Sequence, residues 1–205
     1  MRETAAAATA GATRSGTVVI VIGLWLIAAT VLAMTPLVAL LQPPAPPFVV
    51  FGLAFTVLAA GRLSRGFGTW LATVDLRWLV GLHLTRFVGA YFLYLYAHGR
   101  LPYDFAVPGG VGDVAVATLA AVLLLWGPPR DAGRRAAYGA WNVLGLLDIL
   151  FVVVTAGRRG LANAASMAEL LQLPLSLLPT FLVPLIIASH VVLGARLWLA
   201  RVRRP

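Results

Sequence analysis

Six polar side chains interrupt long apolar stretches of this chain: His83, Arg86, Asp113, Asn142, Asp148 and His190. An ionisable group inside hydrocarbon is costly, so each needs a partner or a water-filled cavity. Arg86 carries a permanent cation. Asp113 and Asp148 supply carboxyls, and a histidine beside a carboxylate changes charge near neutral pH. Such a set can bind or conduct a small solute or a proton. It can equally lock helix register, as an Arg86–Asp148 ion pair with His190 hydrogen-bonded nearby. Both readings are open at this stage.

The elements that must position these groups are membrane spans. The chain has 205 residues, 60% hydrophobic and 11% charged, with mean hydropathy +0.91. A span needs ~20 mostly apolar residues. Six stretches fit, at 17–41, 47–64, 78–98, 106–126, 137–156 and 175–199. The expected fold is therefore all-α, a polytopic transmembrane bundle with a mobile tail at 1–16 and a basic tail at 200–205. No segment is left for a soluble catalytic domain, and the balance of readings is against an enzyme.

Every positive residue is arginine, 16 in all. If the six spans alternate, 12 of them share one side: Arg2, Arg14, Arg62, Arg65, Arg77, Arg130, Arg134, Arg135, Arg196, Arg201, Arg203 and Arg204. Arg100, Arg158 and Arg159 fall on the other. This asymmetry places both termini in the cytoplasm. It also assigns the basic charge to topology and lipid headgroups rather than nucleic acid. Trp78, Trp126, Trp141 and Trp198 are expected in an interfacial belt on the arginine-rich side.

Depth follows from helical rise. Counted at ~1.5 Å per residue from the arginine-rich ends, Arg86 lies ~12 Å up, His190 ~13 Å, Asp148 ~16 Å, Asp113 ~20 Å, and His83 and Asn142 ~7–8 Å. Arg86, Asp148 and His190 thus share a mid-membrane layer. Asp113, with His98 and Asp104 from the next connection, is expected to form its outer mouth. Cysteine is absent, which removes disulfides and thiolate ligands. His83 and His190 differ by ~6 Å in depth, poor for axial ligation of one iron. No metal or cofactor is expected. The expected partners are the bilayer, a small solute or proton, and a membrane protein.

"PGGVGD" at 108–113 reads as a turn opening the fourth span, with Asp113 in its first turns. Gly110-Val111-Gly112-Asp113 and Tyr103-Asp104 resemble the two signatures of G-x-G-D intramembrane aspartyl proteases. "GVGDVAVATLAAVLLLWG" is similar to the glycine–aspartate segment of type IV prepilin peptidases. That resemblance implies a catalytic dyad, for which Asp113 and Asp148 are the candidates. Over 84–192, the run "TRFVGAYFLYLYAHGRLPYDFAVPGGVGD … WNVLGLLDILFVV … PLSLLPTFLVPLIIASHVV" resembles small uncharacterised bacterial membrane proteins. It implies a multi-pass bundle and carries no established activity. The bias toward alanine, glycine and arginine, without lysine, suggests a bacterium and hence a bacterial inner membrane.

Overall fold

In the computed structural model the described residues are 2–202, with side chains described for 15–200 and 202. Residues 203–205 of the expected basic tail, and the side chains of Arg2, Arg14 and Arg201, lie outside them. Every regular element among the described residues is helical. Six segments are long and apolar enough to cross a membrane: Ser15–Ala33, Ala45–Leu63, Leu76–Ala97, Tyr103–Trp126, Ala132–Ala162 and Leu178–Ala200.

Helix α1, Arg2–Ala33, continues back through the backbone of the expected tail. It stops short of residue 41 because Pro36 intervenes. Proline lacks the donor a helix needs and forces the preceding residue to be extended; Thr35 has φ −113°, ψ 162°. A 3₁₀ segment, Pro36–Leu41, follows. Helix α2, Ala45–Leu63, tolerates prolines in its first turn, where the missing N–H has no partner to lose. Helix α3, Arg65–Thr73, starts on Ser64, whose hydroxyl accepts from Phe67 N at 3.3 Å. Asp75, between Trp70 and Trp78, then caps a new helix.

The third span is composite. Helix α4, Leu76–Gly81, runs into a 3₁₀ stretch, Leu82–Val88, and then α5, Gly89–Ala97. Residues three apart eclipse in a 3₁₀ helix. His83 and Arg86 therefore point the same way, inward, and both are buried. At the far end Gly99 adopts φ 69°, and Arg100 N bonds back to Leu95 O at 2.8 Å, a left-handed cap that needs glycine.

Helix α6, Tyr103–Trp126, corrects the sequence reading. Pro108, Gly109 and Gly110 lie inside it rather than in a turn before it. Asp113 therefore sits in the third turn, not the first. The helix ends at Gly127, with φ 96°. Helix α7, Ala132–Ala162, is capped by Asp131, whose carboxylate accepts from Arg134 N at 2.8 Å. That backbone hydrogen bond holds the Asp131 carboxyl below its usual range. At ~46 Å, α7 overshoots a ~30 Å hydrocarbon core and projects beyond 137–156 at both ends.

A 3₁₀ segment, Ala164–Leu171, follows Asn163. The sixth span opens as a π turn, Leu178–Leu182, before α8, Val183–Val202. Pro179 lies within that turn and Pro184 just after it, and prolines remove donors a regular α-helix would need there.

Two apolar cores stack along the bundle. One holds Phe92, Leu95, Phe105, Ile149, Val152 and Ile186, toward the arginine-poor end. The other holds Val80, Val116, Leu123, Tyr138, Trp141 and Leu193, toward the arginine-rich end. The polar groups lie between them. Trp141 corrects the interfacial reading: it is 3% exposed, with its indole N–H donating to Val116 O at 3.0 Å. The first span is peripheral, tied to the bundle by Trp25, which donates to Thr180 O at 2.9 Å and meets Phe181 edge-on.

Candidate functional site

Arg86 is the centre of the polar layer. Its side chain is 1% exposed, and it joins the third span to the fourth and fifth. Nε donates to Asp113 Oδ1 at 2.6 Å, Nη1 donates to Gly145 O at 2.9 Å, and Nη2 pairs with Asp148 Oδ2. The planar guanidinium fork suits this arrangement, since its donors diverge toward different acceptors. Asp113 is almost fully covered, whereas the Asp148 side chain is 18% exposed.

Glycines let these groups meet. A β-carbon on Gly89 would come within 2.6 Å of the Asp113 β-carbon and 2.5 Å of Gly110 O. The third and fourth spans thus touch backbone to backbone beside the cluster. Gly112 leaves the space that the Asp148 carboxylate fills. On α7, Gly145 gives up side-chain volume to His190, which would lie 2.7 Å from an added β-carbon.

The histidines form a second half of the layer. Asn142 donates through Nδ2 to His190 O at 3.1 Å, which fixes the amide orientation. Its Oδ1 then accepts from His190 Nδ1 at 2.9 Å, so this nitrogen carries the proton of the neutral ring. His190 Nε2 is left as a bare acceptor, against Gly145. Ser189 donates to Ile186 O at 2.8 Å, so its oxygen accepts from His83 Nε2 at 3.0 Å. His83 Nδ1 is bare in turn. The two rings lie 4.2 Å apart, and Trp141 closes His83 edge-on at 4.9 Å.

Replacing Asn142 by leucine should strand the His190 Nδ1–H and lose the bond to its carbonyl. Thermal unfolding in detergent should register a loss of about 1–3 kcal/mol, the cost of an unpaired buried donor. A change within about 0.5 kcal/mol, the range of a neutral surface substitution, would mean that other contacts hold the ring.

The structure brings Arg86, Asp113, Asp148, His83, His190 and Asn142 into one layer. It does not bring His98 and Asp104 to it. The helix through Tyr103 puts Asp104 and Asp113 nine residues apart, which is half a turn out of phase and ~13 Å along the axis. Asp104 pairs instead with Arg159 at the bundle end. His98 is exposed, with Nδ1 at 2.8 Å from Tyr94 O and its ring against Tyr94. The expected outer mouth is replaced by ion pairs. Arg100 meets Glu169 through Nε at 2.9 Å and Nη2 at 2.6 Å, and that hydrogen bonding holds its guanidinium above the usual value.

Ser189 and the Gly145 carbonyl were not among the residues singled out from sequence. Ser189 carried only its adjacency to His190 as a signal. A backbone acceptor carries none beyond the glycine that exposes it. Among the described residues no three potential metal ligands converge. The aspartyl dyad needs two carboxyls sharing a proton. Asp113 and Asp148 instead share a guanidinium.

A six-span helical bundle with a paired ionic layer at its centre defines a polytopic membrane protein. The chain belongs to the DUF8737 family, described as a domain of unknown function, whose model covers residues 43–198. That range begins at the second span and takes in every member of the polar layer. No curated protein and no solved structure gives a significant match.

Proposed function

We propose that this membrane protein binds and exchanges one proton at the Arg86 layer. The observation that carries this reading is the charge count: two carboxylates, Asp113 and Asp148, meet one guanidinium. Fully ionised, the layer holds a net negative charge in a low-dielectric interior, where an unbalanced charge is very costly. A proton restores neutrality at the smallest volume, and the close approach of Gly89 to Gly110 packs the spans tightly beside the site. The bare His190 Nε2 offers that proton a second seat. A solute larger than a proton fits less well, because apolar cores close the layer above and below. The arginine asymmetry supports an orientation with both chain ends in the cytoplasm, and the bias toward alanine, glycine and arginine without lysine supports a bacterial inner membrane.

Infrared spectra of the protein in lipid, taken in H2O and D2O, test the reading. A protonated carboxyl band that shifts on deuteration is expected, or an imidazolium signal in its place. Asp113→Asn and Asp148→Asn then identify the group that holds the proton. A layer with both carboxyls ionised and both rings neutral across the stable pH range would sink the proposal.

A second reading has its own support. The layer is buried except at the partly exposed Asp148 side chain, and the first two spans present large apolar side chains outward, among them Leu24, Ile27, Phe48 and Phe55. An accessory subunit, with the polar layer fixing its packing and a membrane partner covering those spans, fits these features. Its mark would be a protein that is stable only when co-purified with that partner.

A further inference from the structure

Three segments of irregular backbone converge at the arginine-poor end: the 3₁₀ segments Pro36–Leu41 and Ala164–Leu171, and the π turn Leu178–Leu182. Irregular backbone at membrane depth is tolerated where it is buried in protein or lines a cavity, and π turns recur at functional sites. Here all three border one cavity of about 280 Å³, whose lining includes none of the residues of the Arg86 layer.

Its chemistry is one-sided. Gln42 is the sole lining residue with a polar side chain, and no charged residue lines it. Its depth is graded as well. Phe92, Phe105 and Val50, from the membrane spans, are buried at its inner end. Gln42, Ala164 and Ala168 are exposed and belong to connections outside the spans. The mouth therefore opens at the membrane–water boundary, with an amide at the rim and aromatic rings within.

The roof is fastened. Glu169, between two lining residues of the second 3₁₀ segment, is gripped by Arg100 through two hydrogen bonds. Arg159 pairs with Asp104 and ties the end of α7 to the start of α6. The rings of Pro43 and Pro47 seat against Gly160 and Gly157, so this wall is closed by proline rings packed on the glycine face of α7. These ties hold open a space that side chains do not fill.

We propose that this cavity holds one acyl chain of a membrane phospholipid. The chain lies along Phe92 and Phe105, and a glycerol-ester oxygen meets the Gln42 amide at the rim. Apolar lining with one convergent polar group is the pattern of a site that orients an amphiphile. The absence of lining charge favours the ester region over a free carboxylate. The lipid's charged headgroup stays in the interface.

The test uses the full chain in nanodiscs of phosphatidylethanolamine and phosphatidylglycerol, doped with a phospholipid carrying a mid-chain diazirine. Photolysis and peptide mapping should place label on the segments holding Phe92, Phe105 and Met167. Ala168→Trp and Ala164→Phe fill the mouth from exposed positions, so they should fold normally and cut that labelling several-fold. Gln42→Leu should weaken it less. Label spread evenly over the outward faces of the first two spans, and unchanged in Ala168→Trp, would overturn the proposal. Displacement by free fatty acid but not by unlabelled phospholipid would overturn the assigned source. None of these readouts depends on proton binding at Arg86.

Discussion

Arg86→Leu is expected to be the most destabilising single substitution in the bundle. It removes the one cation that, among the described residues, pairs with Asp113 and Asp148, and it takes the guanidinium donor from Gly145 O. Breaking a buried ion pair from one side costs about 3–5 kcal/mol, because the remaining charge is left uncompensated. The variant should unfold at markedly lower temperature in detergent and run as aggregate rather than as a single species. The instructive comparison is Arg86→Met with Asp113→Leu and Asp148→Leu. Replacing a whole buried ionic set by apolar groups is often neutral or stabilising. This triple variant should regain most of the lost stability while losing any exchangeable proton. If it is as unstable as Arg86→Leu alone, the cluster holds the spans together by directed hydrogen bonds that apolar packing does not replace. If Arg86→Leu is as stable as the parent, the cluster is incidental to the fold.

The outline of this protein is legible in its apolar runs, and the sequence reading departs from the structure at Pro108, at Trp141 and at the expected mouth of His98 and Asp104. The long hydrophobic stretches announced six spans, because length and hydropathy alone decide whether a helix crosses a bilayer. Helical rise put Arg86 and Asp148 at similar depth, and they meet. What depth cannot supply is rotation. Asp113 bonds Arg86 because residues 82–88 wind as a 3₁₀ helix, and no composition rule marks that stretch. From sequence, Pro108 reads as a turn because proline usually ends a helix. Here it falls early in α6, where Pro108 and the glycines after it are held against the third span by the Gly89–Gly110 contact. The histidine half was less legible still. It depends on a serine hydroxyl and on an asparagine amide whose orientation is set by a backbone carbonyl. Such partners are defined by the fold rather than by residue type.

Gly89→Leu is expected to be the second most damaging change, and its effect should reach the ionic layer without altering any charge. A β-carbon there would lie 2.5 Å from Gly110 O and 2.6 Å from the Asp113 β-carbon, so the third and fourth spans must separate. Small residues at a helix crossing act by allowing this close approach. Separation lengthens the 2.6 Å bond from Arg86 Nε to Asp113. Overpacking alone typically costs about 1–3 kcal/mol, and the stretched ion pair adds to it. Gly89→Ala should show the same effect in smaller degree, since only one atom must be accommodated. Gly81→Ala is the control. It lies on the same span, and an added β-carbon there meets nothing within 4 Å; it should leave thermal unfolding within about 0.5 kcal/mol of the parent. If Gly89→Ala behaves like Gly81→Ala, the two spans can slide apart without disturbing the cluster. The ionic layer would then be set by α7 and α8 rather than by the glycine contact. A graded loss from alanine to leucine at position 89, together with a perturbed carboxyl band in the infrared, would tie the geometry of that crossing to the charge it encloses.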